Sequence, residues 1–246
     1  MRRFVPYLLA GGTAALLGLS MVLFGVSGFH AVRPLRSDQP RQALSQGSVA
    51  QVVRRGLPAV VRVTVLRPTE LRTSWGRPLS VKVTGSGFVV DARGGVLTSA
   101  GLVAGAQRIE VRCRRCASPL PVTRVTLDGL RDVAYLSVHP PRRLAALRLG
   151  PAAGPAAGSY VVALGGESAQ FGVVSAEARV FAQPDGTTRR LLQTDASIHA
   201  GNTGGPLLDL EGRVVGMSTY SVSAGKGIGF AVPARDLRLA IGRSGA

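Results

Sequence analysis

From Ala59 to Pro233 the chain is a succession of short apolar segments, rich in valine, with turn residues between them. That punctuation restricts the fold more than any other feature. "AVVRVTVLR" (Ala59 to Arg67) alternates in places, as a half-buried strand does. "VKVTGSGFVVDARGGVLTSA" (Val81 to Ala100) reads as two strands joined by a hairpin at "DARGG". "RIEVRC", "PVTRVTL", "VAYLSV", "YVVALG", "FGVVSAEARV", "LLQTD", "RVVGMSTYS" and "GIGFAVP" continue the series. Strands at intervals of about 8–12 residues, with turn residues between them, predict an all-β barrel or sandwich. Only Ser48 to Arg55 and Ala234 to Ile241 read as helices.

Ahead of this region, Phe4 to Phe29 contains no charged residue and follows Arg2 and Arg3. A membrane span needs about 20 apolar residues, whereas the core of a cleaved signal has about 7–15. The stretch is therefore read as an uncleaved anchor, with a cleaved signal as the alternative. Arg2 and Arg3 would hold the N-terminus in the cytoplasm, against the opposing pull of Arg33, Arg36 and Arg41. The expected organisation is an anchor or signal over 1–30, a polar linker over 31–47, one β-domain over 48–145 and a second over 146–246 that ends in a helix. The globular part would lie on the periplasmic side of a bacterial inner membrane.

The formal charge is +17, carried almost wholly by arginine; Lys82 and Lys226 are the only lysines. The arginines are scattered and not grouped with interleaved aromatics, which argues against a specific nucleic-acid site. Cys113 and Cys116, in "CRRC", lie where one strand passes to the next. A small disulfide and a pair of free thiols are both compatible with this spacing. The histidines, His30, His139 and His199, are not at metal-ligand spacing, so no metal or other cofactor is expected.

Three segments carry chemistry: "GSGFVVDARGGVLTSAGLVAGA" (Gly85 to Ala106), "LDGLRDVAYLSV" (Leu127 to Val138) and "TDASIHAGNTGGPLLDLEG" (Thr194 to Gly212), the last followed by "GIGFAVPARDL". In order and spacing they resemble the trypsin-like serine proteases of the HtrA (Deg) type, over roughly Ser48 to Ile241. The resemblance implies two six-stranded antiparallel β-barrels with a cleft between them, here preceded by one N-terminal transmembrane helix. The family's nucleophile lies in Gly-Asn-Ser-Gly-Gly-Pro, which puts Thr203 in its place. Its histidine follows a Leu-Thr pair, and "LTSAGLVAGA" puts Gly101 there. Its aspartate opens a strand like "DVAYL", giving Asp132. Gly201 and Asn202 fall in the turn whose N–H groups form the family's oxyanion hole. Thr219, Tyr220 and Ser221 fall on the edge that pairs with substrate. "GGESAQFGVVS" (Gly165 to Ser175) is shorter than its counterpart, and the PDZ domains of many relatives are expected to be absent.

A hydroxyl of ordinary acidity needs a base within about 2.6–3.2 Å to act as a nucleophile. Gly101 has no side chain to supply one, and Asp132 is left to cap a strand end or face solvent. The methyl of Thr203 restricts its hydroxyl further. Loss of a triad member leaves only about 10³–10⁴-fold acceleration over water. His199 precedes Thr203 by four residues, but nothing directs its ring to the hydroxyl. The sequence thus predicts a membrane-anchored pseudo-protease, a binding or scaffold module that holds an extended peptide or protein in its cleft. The alternatives are a weak endopeptidase using Thr203 and a basic surface protein acting on envelope polyanions. The oligomeric state is not legible.

Overall fold

The computed structural model describes residues 46–72, 74–166, 168–182, 186–219 and 227–244. The expected span from Phe4 to Phe29, together with Tyr220 and Ser221, lies outside them. Among the described residues no helix is long and apolar enough to cross a membrane.

The first sheet contains β1 (Val60–Arg72), β2 (Pro78–Asp91), β3 (Gly95–Ser99), β4 (Arg108–Cys113), β5 (Val122–Asp128) and β6 (Val133–Val138). All neighbours are antiparallel, in the order β4-β1-β2-β3-β6-β5. The second contains β7 (Tyr160–Leu164), β8 (Ala169–Ala182), β9 (Thr188–Thr194), β10 (Pro206–Leu208), β11 (Val214–Thr219) and β12 (Gly229–Pro233). It closes on itself as β10-β11-β12-β9-β8-β7, the last seam pairing Leu207 with Ala163 and Leu208 with Val162.

Two closed barrels were expected, and only the second sheet is one. The first is open between β4 and β5, where a single bridge joins Val111 to Leu120. Pro119 and Pro121 flank Leu120 and have no N–H to donate, so the ladder stops after the Leu120 N–H to Val111 bond of 2.7 Å.

The helices also depart from expectation. α1 (Gln46–Gly56) and α3 (Ala234–Ser244) are the two predicted, but α2 (Ala100–Val103) and 3-10 turns at Leu57–Ala59 and Ala200–Asn202 are additional. α2 is too short to stand alone. Its N-terminus is held by Asp132, from another element altogether.

Valine alternation places Val61, Val63, Val65, Val89 and Val111 inside the first sheet, while Val161, Ala163, Leu207 and Ala231 fill the barrel. A third cluster lies between the sheets, where Phe88, Leu97 and Val133 meet Leu164, Met217 and Phe230, with Leu237 of α3 fully buried among them. Each such side chain contributes about 1.5–3 kcal/mol by burial. α1 packs on β7, and Gly56 allows the approach: a Cβ there would lie 2.6 Å from Leu164 Cδ1. This shared core holds the end of β3 with α2, the β5–β6 turn and the β9–β10 connection around one cleft.

Candidate active site

Asp132 ends the β5–β6 turn with φ of 57°, a left-handed conformation that aspartate tolerates better than most residues. The turn is tied by an ion pair of 2.8 Å between Arg131 and Asp128. Asp132 is only 8% exposed, and its carboxylate is taken up by hydrogen bonds. Its Oδ1 accepts from the Gly101 N–H at 2.8 Å and lies 2.9 Å from Ser99 Oγ; its Oδ2 accepts from Thr219 Oγ1 at 2.8 Å and lies 3.0 Å from Ser99 Oγ. The Asp132 carbonyl accepts from Ala100 N at 3.2 Å. The carboxylate thus neither faces solvent nor caps a strand, as the sequence reading had it: it caps α2. No cation pairs with it among the described residues; hydroxyl and N–H dipoles satisfy the charge instead.

Gly101, the second residue of α2, lies beside this carboxylate. A Cβ there would make ordinary contacts, 3.4 Å from Asp132 Oδ1 and 3.5 Å from Ser99 Oγ. The position therefore admits a side chain, and among the described residues no basic side chain bonds to Asp132.

Thr203 sits on the turn between β9 and β10. Its hydroxyl donates to the His199 carbonyl at 3.1 Å, four residues back. The surrounding turn is closed upon itself. Asn202 N–H and Thr203 N–H both point to the His199 carbonyl at 3.1 Å, and Gly201 N–H donates to His199 Nδ1 at 3.1 Å. Asn202, fully buried, returns Oδ1 to the His199 N–H at 2.8 Å and donates through Nδ2 to Ser197 at 2.9 Å. In this conformation the Gly201 and Asn202 N–H groups face into the turn and not into the cleft. His199 accepts at Nδ1 and serves the turn; its ring makes no bond to the Thr203 hydroxyl. His139, at the end of β6, is exposed.

The glycines of this turn answer to close packing. Gly204 has φ of 81°, and a Cβ there would strike Ser86 O and Thr98 Oγ1; one at Gly205 would strike Leu164 O. Ser86, fully buried, locks the turn to the first sheet. Its Oγ donates to Gly201 O at 2.7 Å and accepts from Gly166 N–H at 2.9 Å, while its N–H donates to Thr203 O at 2.8 Å.

Asp132, Gly101 and Thr203 line one open cavity of about 380 Å³, together with Thr219, Arg67 and Arg189. Both arginines are used structurally. Arg67 donates to the carbonyls of Gly101 and Leu102 at 2.9 and 3.0 Å, and Arg189 to that of Leu130 at 3.0 Å. Thr219, expected on the groove edge, turns its hydroxyl to Asp132. Cys113 and Cys116 form a disulfide at the end of β4, so neither is a free thiol. Sequence reading missed Ser99 and Ser86. The flanking Gly85 and Gly87 marked Ser86 as a point of close approach; nothing in the local sequence marked Ser99.

Residues 85–217 match the trypsin-like peptidase domain family. Serine protease HTRA3 of Mus musculus is 35% identical over 200 residues, spanning 75% of this chain and 42% of its own length. Mitochondrial serine protease HTRA2 of Bos taurus is 35% identical over 198 residues, spanning 77% and 42%. The chain therefore spans about two-fifths of the length of these relatives. Among solved structures, the HtrA-type protease AlgW, as a serine-to-alanine variant with a decapeptide, superposes with a TM-score of 0.66 at 28% identity, covering 78% of this chain and 64% of that one.

Proposed function

The chain belongs to the HtrA-type family of trypsin-like serine proteases, and from that premise we propose that it is a member without peptidase activity, a membrane-anchored module that binds an extended peptide or protein in its cleft. The observation that carries this reading is the Asp132 carboxylate. In a working triad that group orients a basic imidazole, and without one the nucleophile keeps its proton. Here its acceptor sites are taken by Ser99, Thr219 and the Gly101 N–H. Thr203, at the nucleophile's position, donates its hydroxyl hydrogen bond to a main-chain carbonyl, which is no base. The turn N–H groups that would stabilise an oxyanion bond within the turn.

Binding is supported by what persists: an open cleft between two well-packed sheets, and a peptide-bearing structural neighbour of the same family. The uncharged Phe4–Phe29 stretch supports a single-span anchor in a bacterial inner membrane with the β-domains on the periplasmic side. The weak-endopeptidase alternative would need a base delivered from outside, and the cavity has room for one.

The full chain, incubated with an unfolded protein substrate and a hydroxyl-directed fluorophosphonate probe, separates the two. Neither cleavage nor labelling at Thr203 is expected. Labelling or cleavage that disappears in Thr203→Ala would establish the endopeptidase instead.

A further inference from the structure

The β1–β2 hairpin extends beyond the sheet that bears it. Pairing of β1 with β4 ends at Leu66 opposite Arg108, and β2 first meets β3 at Gly87. From Arg67 to Lys82 the two strands therefore pair only with each other, in register to Ser80 and again at Arg72 with Pro78. A two-stranded ribbon is marginal in water without a covering surface. This ribbon exposes large apolar side chains: Trp75 is 89% exposed and Leu71 69%, with Leu79 and Val81 also exposed. Trp75 is the only tryptophan of the chain. Tryptophan is ordinarily buried for most of its surface, and at membrane–water boundaries it sits at headgroup depth.

Charge indicates what covers the arm. Between Leu71 and Lys82 it carries Arg72, Arg77 and Lys82 and no carboxylate, with Glu70 just before. Arg72 also donates to the Gly76 carbonyl at 2.9 Å, which fixes the turn that presents Trp75. Basic residues interleaved with exposed leucine and tryptophan match the boundary of an anionic bilayer, where each cation near the surface contributes about 1 kcal/mol. A second copy of the arm fits less well. A two-fold contact would set the same cations against one another, in a chain already at +17.

We propose that the tip of the β1–β2 hairpin, led by Trp75, docks onto an anionic membrane surface. This rests on the anchor reading of Phe4–Phe29, since the stretch from there to Gln46 keeps the domain within roughly 60 Å of the bilayer even when fully extended. Docking would fix the orientation of the cleft relative to the membrane.

The test uses the full chain in lipid nanodiscs, one set anionic and one zwitterionic, each with bromine-labelled acyl chains. Trp75 is the sole reporter. Blue-shifted emission, with bromine quenching that is strong in anionic discs and weak in zwitterionic ones, is the expected result. Arg72→Gln with Lys82→Gln should lower the equilibrium constant for docking about fivefold for each charge removed. Water-like, unquenched emission from chain that has entered the discs would overturn docking alone. Equal quenching in both lipids would overturn the charge-based partner. A blue shift without quenching that grows with the number of copies per disc would assign the arm to a second copy. Failure of the chain to enter the discs would overturn the anchor and the docking together.

Discussion

The Ser99 hydroxyl lies 2.9 and 3.0 Å from the two carboxylate oxygens of Asp132, and so occupies the side of the carboxylate that faces Gly101. The loss of the base is thus accommodated locally. Together with the Thr219 hydroxyl and the Gly101 N–H, this hydroxyl satisfies the charge that a histidine at position 101 would otherwise engage.

Restoring the chemistry should therefore take more than the two positions identified by alignment. Gly101→His with Thr203→Ser is expected to remain nearly inert toward a fluorophosphonate probe, because the introduced imidazole competes with Ser99 for Asp132. Adding Ser99→Ala frees the carboxylate and should raise labelling by at least tenfold over the double variant, or about 1.4 kcal/mol. Equal labelling of both would show that Ser99 presents no obstacle.

The carboxylate should also matter to stability. Asp132→Ala leaves the Ser99 and Thr219 hydroxyls and the Gly101 N–H without their acceptor and puts alanine at a positive φ. A loss of about 3 kcal/mol is expected in denaturant unfolding, since hydrogen bonds to charged groups contribute about 1.5–3 kcal/mol and left-handed backbone costs about 1–2. Asp132→Asn keeps one carbonyl oxygen and tolerates the backbone, so it should lose less than half as much. Equal losses would mean that the carboxylate contributes little.

The nucleophile turn should tolerate nothing larger than glycine at 204. Gly204→Ala combines a φ of 81° with collisions against Ser86 O and Thr98 Oγ1. At Gly105, φ is 69° and no atom lies within 4 Å of the added Cβ. Alanine should cost about 1–2 kcal/mol at Gly105 and about 3 kcal/mol or more at Gly204, where overpacking adds to the backbone term. Thermal unfolding of the two variants, compared directly, checks this.

Asp91, at the end of β2, has its carboxyl held below the ordinary carboxylate range, first by the Arg93 N–H at 2.9 Å and then by the Arg93 guanidinium at 3.2 Å. A carboxyl depressed in the folded state stabilises fully above its ordinary value of 3.8 and loses that contribution as pH falls through its lowered one. The acid limb of the stability curve below about pH 4 should therefore flatten in Asp91→Asn, with little change at neutral pH for so exposed a group. A carbon-detected NMR titration of Asp91 with an ordinary midpoint would refute it.

The arrangement of strands was legible because local patterning dictates it. Valine alternation in β1 sets which residues enter the core, and "DARGG" carries the glycine that the β2–β3 turn requires, Gly94 at φ of 124°. The open seam of the first sheet was in principle visible in the same way, since Pro119 and Pro121 cannot donate to a ladder. The helical turn α2 was not, because "AGLV" has no local signal for a helix and is capped from Asp132, a residue beyond β4 and β5.

By itself the sequence determined the succession of strands, the family, and the absence of a basic side chain at Gly101 beside Thr203 and Asp132. These are local properties of residue identity and order, which need no distances. Only the tertiary structure decided what became of the groups left behind. Ser99, Thr219 and Asp132 lie on three different strands or their ends, and they meet because burial of Phe88, Leu97, Met217 and Phe230 draws the two sheets together. A hydrogen bond depends on separation and angle to within tenths of an ångström. Residue order alone does not encode such distances between remote segments; the packed core sets them.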